Sequence, residues 1–253
     1  MGRGLWSSAD YSATASVRST QTREQVFTKK TMAKEFDPKY IDIRESVDSE
    51  DSPESTAIIV GLDVTGSMGF IAEHIANHGL GTLVDGILDT KPVSDPHIMM
   101  MGIGDINYDT APLQVTQFEA DNRISDQIVD IWLEGRGGGN HFESYDLPWI
   151  FAANKTKIDC FEKRGKKGYL FTIGDELPPR TTNSTILNET CNLQAQGDLT
   201  TEEALQAAQK KYDVFHIIVE QGNFASSNGK QVIDAWNNLL GKHAILLNNY
   251  KHI

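Results

Sequence analysis

From Thr56 onward, short apolar runs that end in Gly or Asp alternate with segments whose apolar residues recur every three or four positions. The first kind reads as strand and the second as helix, because side chains alternate faces in a strand and repeat every 3.6 residues in a helix. Ala57 to Leu62 is the first expected strand. Phe70 to Leu88 is a helix with Ile71, Ile75, Leu83, Val84, Ile87 and Leu88 on one face, weakened in its middle by Gly79 and Gly81. His97 to Ile103 predicts a second strand, Leu113 to Phe118 a third at the sheet edge, and Arg123 to Leu133 a helix. A glycine loop, Gly135 to Asn140, leads to a helix over about Ser144 to Ala153 and then to Tyr169 to Ile173, an apolar run suited to burial on both faces of a parallel sheet. The helix Thr201 to Lys211, the strand Val214 to Val219, the helix Gln231 to Leu240 and the strand Ala244 to Leu247 complete the rhythm. Strands separated by helices imply an α/β class: a doubly wound, mostly parallel sheet flanked by helices, with right-handed crossovers.

The first 55 residues break this pattern. They are rich in Ser, Thr, Gln and charge and end in the acidic, turn-forming run from Val47 to Ser55, so they read as an extended or flexible N-terminal arm, 1–55, before one domain, 56–253. Residues 1–34 carry six Lys or Arg (Arg3, Arg18, Arg23, Lys29, Lys30, Lys34) against Asp10 and Glu24. A basic arm on an acidic body offers a route to a homo-oligomer, by docking onto a neighbouring copy.

The formal charge of −12 argues against nucleic acid and anionic membrane as partners, since both would repel the chain, and favours a basic partner or a bound cation. Cys160 and Cys191 are the only cysteines and lack the close pairing of a thiolate zinc site. No apolar run suits a signal peptide or a membrane span, which points to the cytoplasm, or to host cytoplasm or virion for a viral chain.

Ligands of a doubly wound sheet gather outside the carboxyl ends of its strands. The first strand ends in Asp63-Val64-Thr65-Gly66-Ser67-Met68-Gly69, which puts a carboxylate and two hydroxyls at alternate positions of a turn that glycine allows to bend tightly. The strand ending in Ile173-Gly174-Asp175-Glu176 delivers Asp175 to the same rim. A third segment, Gly135 to Ser144, is glycine-rich and directly precedes a helix. Hard oxygen donors with few carboxylates suit Mg²⁺, with Mn²⁺ or Ca²⁺ as alternatives.

These residues resemble the metal-ion-dependent adhesion site (MIDAS) of von Willebrand factor type A (vWA) domains, whose motif is Asp-x-Ser/Thr-x-Ser in the first loop, a Thr in the second and an Asp in the third. The order of elements is similar over roughly residues 56–247. The resemblance implies a Rossmann-like vWA fold and places Asp63, Thr65, Ser67 and Asp175 at a Mg²⁺ site, some of them through water. There is no Thr between Gln117 and Lys155, so Asn140, Glu143 or Ser144 must substitute for the second-loop threonine, Asn140 first and Glu143 close behind. Asn140 or Ser144 would keep the ion electrophilic, whereas Glu143 would neutralise it further. The function implied is a non-enzymatic module that captures a partner's Asp or Glu through the ion, within a larger assembly or beside a MoxR-type AAA+ ATPase.

Other features take plainer readings. Asp105 is a turn residue or a further rim carboxylate. His74 and His78, one helical turn apart, lack a third zinc ligand nearby, and His141 is a loop histidine that could alternatively act as a base. Met99 to Met101 fill core, and Gly137 to Gly139 lack the Lys-Ser or Lys-Thr of a P-loop. The rival function is a Mg²⁺-dependent phosphohydrolase of the haloacid-dehalogenase type using Asp63, in which Thr65 stands where that family has its second Asp.

Overall fold

The computed structural model of the chain describes residues 4–66, 68–135 and 141–252. A six-stranded sheet is built from β1 (Thr56–Asp63), β2 (Pro96–Ile103), β3 (Leu113–Val115), β4 (Gly168–Gly174), β5 (Tyr212–Val219) and β6 (Ala244–Leu247), in the spatial order β6-β5-β4-β1-β2-β3. All neighbours are parallel except β3, which pairs antiparallel with β2 at the edge. The fold is therefore a mixed α/β, Rossmann-like one.

Helices cover both faces: α1 (Ser8–Arg18), a composite α2 over 69–90, α3 (Arg123–Val129), α4 (Asp146–Lys155), α5 (Ser184–Cys191), α6 (Thr201–Ala208) and α7 (Asn223–Leu240). Strand alternation divides the core. Ala57 and Ile59 of β1 face α4 to α7, where Trp149, Leu187, Leu205 and Trp236 pack, while Ile58, Val60 and Leu62 face α1 to α3, with Tyr11, Ile71, Leu80 and Ile128. Met99, Met100 and Met101 are fully buried and serve both layers alternately. Cys160 and Cys191 are buried free thiols. Among the described residues no helix is long and apolar enough to cross a membrane.

The helix expected over Phe70 to Leu88 forms, but as Gly69–His74 and Leu80–Thr90 joined by a π-helical turn, Ile75–Gly79. Widening the turn loosens carbonyls from the α pattern. The Tyr11 hydroxyl donates toward two of them, Ile75 O at 3.3 Å and Ala76 O at 3.2 Å. Gly81 makes room for the Tyr11 ring, since a Cβ there would overlap it.

The segment expected as an extended or flexible arm, 1–55, packs against the body through buried residues spread along its described length. Ser7 caps α1, Trp6 Nε1 donates to Asp85 at 2.8 Å, and Tyr11, Val26, Phe27, Phe36 and Ile41 are buried. Three of its cations bind its own chain: Arg18 pairs with Asp126, Arg23 with Glu73 and Lys29 with Asp130. The physical reason is apolar spacing: Tyr11 and Ala15 lie one turn apart and give α1 a buried stripe that the polar composition conceals. Farther along, Arg44–Ser46 pairs in parallel with Thr156–Ile158, and Lys155 Nζ donates to Pro38 O and Ile41 O at 2.8 and 2.6 Å.

That strap also buries His97, whose Nδ1 lies 3.1 Å from Ser46 Oγ. Burial, opposed by Asp95, lowers the imidazole from 6.5 to about 4. Between those values the unfolded chain takes up a proton that the folded chain refuses. This contribution to stability is thus complete above pH 6.5 and is lost as the pH falls toward 4, to a limit on the order of 3 kcal/mol. Urea denaturation across that window should show a steeper acid-side loss in the wild type than in His97→Gln; equal slopes would remove the assignment.

Candidate metal centre

β1 leaves toward β2 on one side, while β4 lies on its other side, so the chain reverses direction across the sheet between β1 and β4. Such a switch point leaves a crevice at the carboxyl ends of the strands. Leu62 is in register with Ile173, so Asp63 and Asp175 emerge at the same end of adjacent strands. Both are buried, with 1% and 0% of their surface exposed.

Asp63 Oδ1 accepts from Thr65 N at 3.0 Å and from Thr65 Oγ1 at 2.6 Å, which folds the first loop back on the strand end. Asp63 Oδ2 accepts from the Tyr145 hydroxyl at 2.8 Å, and the same phenol accepts from Glu176 N at 3.3 Å. Tyr145 therefore ties the second loop to the first and third. Gly174 admits it, because a Cβ at that position would overlap the phenol. Asp175 Oδ2 accepts from Phe224 N at 2.8 Å near the start of α7, while its Oδ1 is buried without a partner among the described residues. Glu143, 2% exposed, likewise keeps Oε2 buried and, among the described residues, unpartnered.

Of the expected site residues, Asp63, Thr65, Glu143 and Asp175 are thus at one edge of the sheet; Ser67 and Asn140 lie outside the described residues. Ser144 serves the neighbouring loop instead. Its hydroxyl accepts from Ile106 N at 2.9 Å, and its N–H donates to Gly104 O, which pins the loop after β2. Asp105 closes that loop by accepting from Asn107 N at 2.8 Å, a turn role, and its charge also acts on Glu143 and Glu176, so it stands beside the rim as well. The rings of His74 and His78 lie 5.8 Å apart and tilted to one another, and His141 stacks on Phe224. Tyr145 and Glu176 carry no signal in the sequence: neither belongs to a spaced motif, and only the convergence of two loops reveals them.

Negative charge accumulates here. Burial raises Asp63 above the ordinary carboxylate range, opposed by its Thr65 hydrogen bonds and reinforced by the charge of Asp175. Burial, then the charges of Asp63 and Glu176, push Glu143 strongly upward. Burial, then Asp63 and Asp175, raise Glu176 to about 7. Among the described residues no Lys, Arg or His forms an ion pair with any of the four. A buried carboxylate without a cation or a proton is costly, so the cluster either holds protons or takes up positive charge.

Among the described residues no three His, Cys, Asp or Glu side chains converge tightly enough to hold an ion unaided. Hydroxyls and water would have to complete the set. The donor chemistry fits a hard cation: the donors described at the site are oxygens, and Asp175 Oδ1 and Glu143 Oε2 have no partner among the described residues. Tyr145 is the brace. Its replacement by Phe strands Asp63 Oδ2 and Glu176 N, and is expected to cost about 1–3 kcal/mol in urea denaturation. A loss below about 0.5 kcal/mol, the lower end for a single hydrogen bond, would mean that the brace is dispensable.

No protein-family model matches the sequence, and no curated protein does. Among solved structures, the fold is similar to two of the pilus adhesin SpaC from Lactobacillus rhamnosus GG. The open conformation aligns with a TM-score of 0.50 at 10% identity over 83% of this chain, and a second form with 0.51 at 11% over 80%. Each alignment spans 29% of the adhesin's length. Proximal thread matrix protein 1 from the mussel byssus aligns with a TM-score of 0.42 at 13% identity, over 78% of this chain and 45% of that one. At such identities the likeness concerns the fold alone.

Proposed function

We propose that this chain is a metal-dependent protein-binding module of the vWA kind, in which a cation at the β1–β4 switch point captures a carboxylate of another protein. The observation that carries the reading is the buried cluster of Asp63, Glu143 and Asp175, in which, among the described residues, no Lys, Arg or His pairs with a carboxylate and two carboxylate oxygens have no partner. Asp63, Thr65 and Ser67 from the first loop, Asp175 from the third, and Asn140 or Glu143 from the second would hold the ion, with Mg²⁺ the best match and Mn²⁺ or Ca²⁺ as substitutes. The bound ion supplies an electrophilic position for an oxygen ligand from the partner. The chain's own part is to orient. Thr65 fixes one Asp63 oxygen, Tyr145 fixes the other, and the Phe224 N–H fixes Asp175 so that its second oxygen stays available.

The partner is a protein presenting Asp or Glu at its surface, and a MoxR-type AAA+ ATPase and a second copy of this chain are specific candidates. Immobilised protein should retain it from lysate in Mg²⁺ and release it in EDTA, and Asp63→Ala should retain nothing. Turnover of a generic phosphate ester in Mg²⁺ that disappears in Asp63→Asn would overturn the reading in favour of a phosphohydrolase.

A further inference from the structure

The crossover from β5 to β6 runs through α7, which packs with Val232 and Trp236 on the face opposite α2. On the α2 face, Tyr169 and Phe171 of β4 and Ile217 of β5 therefore project beside α2 and stay only half-buried. Parallel sheets are ordinarily covered on both faces, so an apolar slot remains. Its volume is about 420 Å³, within the range of small-molecule sites. Val60, Tyr169, Phe171 and Ile217 form its floor, and Leu83 and Ile87 of α2 its wall. At the carboxyl end of the strands His252 lines it, beside Tyr250, whose ring contacts Phe70 at 4.9 Å and His74 at 5.3 Å.

The other end opens differently. Pro92, Val93 and Tyr169 are shared with an adjoining cavity of about 380 Å³ that carries Lys91, Arg164, Lys166 and Lys167. Arg164 pairs with Asp48 at 2.7 Å, Lys167 approaches Asp213 at 3.6 Å, and Glu54 accepts from the Ser94 hydroxyl. Lys91 and Lys166 form no ion pair among the described residues. On a chain of charge −12, a mouth with two uncommitted ammonium groups is a local reversal of sign.

We propose that this slot binds a single-chain amphiphile with an anionic head, a long-chain carboxylate being the simplest case: the alkyl chain lies along the β4–β5 floor and the head meets Lys91 and Lys166. The apolar lining supplies affinity without direction, and the cationic mouth sets which end enters last. A cationic or uncharged head on the same chain loses that orientation. The site stands apart from the carboxylate cluster, so it does not depend on the metal reading.

Dodecanoate, dodecanol and dodecyltrimethylammonium, each below its micelle concentration, can be titrated against the full chain by displacement of cis-parinarate, with stoichiometry read by native mass spectrometry. One dodecanoate per chain is expected, bound at least tenfold more tightly than the ammonium analogue. The double variant K91E/K166E, confined to the surface, should weaken dodecanoate about tenfold and leave dodecanol unchanged. Ile217→Trp, which fills the slot, should weaken both, with circular dichroism checking that it folds. Absence of saturable dodecanoate binding, equal binding of the ammonium analogue, or binding unaltered in a folded Ile217→Trp would overturn the proposal. So would an amphipathic helical peptide saturating the site where dodecanoate does not, since the slot would then be a helix-docking face.

Discussion

Adding Mg²⁺ to metal-free protein is expected to raise its thermal midpoint, and Asp63→Ala to abolish the response. A ligand that binds only the folded chain stabilises it by about 2.7 kcal/mol at a hundred times its dissociation constant. For a chain of this size that corresponds to roughly 5–10 °C. The same cluster gives a second, opposite expectation in EDTA. Glu143 is buried among Asp63, Glu176 and Asp105, and its unpartnered oxygen gains nothing from being ionised. Glu143→Gln should therefore leave the metal-free protein as stable as the wild type or more so, although most buried substitutions destabilise. Differential scanning fluorimetry of the three proteins with and without about 10 mM Mg²⁺, a hundred times a dissociation constant of about 0.1 mM, reads both effects. A shift of equal size in wild type and Asp63→Ala would place the ion elsewhere and end the metal reading.

Trp236→Ala is expected to be the most damaging single change outside the cluster. Its indole is fully buried on α7, stacks on His216 with ring centroids 3.4 Å apart, and meets Tyr145 and Trp149 edge-on. Its Nε1 donates to Glu176 O at 2.9 Å. Truncation removes core volume and strands a carbonyl of the third loop, a loss of about 3–5 kcal/mol in urea denaturation. Trp236→Phe keeps much of the packing and loses the donor, so it should cost less in stability. Both should also weaken the Mg²⁺ response, because Glu176 and Tyr145 share a hydrogen bond beneath the site. A Trp236→Ala protein within about 1 kcal/mol of wild type, far below the usual cost of such a truncation, would show that this aromatic layer is not what supports the rim.

The strands of the central sheet were legible because their apolar runs are continuous and their ends are marked by Gly or Asp. Ala244–Leu247 falls where the pattern puts it, and the edge position expected near Leu113 is occupied by the antiparallel β3. The common rim of Asp63, Thr65 and Asp175 was legible because each follows directly on the end of an apolar strand run, and the two strand ends lie side by side. Elements held by distant partners were not. Arg44–Ser46 forms a strand only against Thr156–Ile158, and neither three-residue run carries a pattern of its own. Ser184–Cys191 is a helix in which Ser, Thr and Asn, weak formers, fill four of eight positions, started by the Asn183 side chain, which accepts from Thr185 N and Ile186 N. Tyr145 could not be found from spacing, since its role depends on Asp63 and Glu176 meeting it in space.

The π turn in α2 has a mechanical implication. It accommodates one surplus residue between two α-helical stretches, and expelling that residue would rotate one stretch against the other by about 100° and slide it by about 1.5 Å. The amino end of this helix is the loop that follows Asp63, whereas its widened turn is gripped by the Tyr11 hydroxyl. The N-terminal strap and the mouth of the crevice therefore meet the same composite helix, one at its widened turn and the other at its amino end.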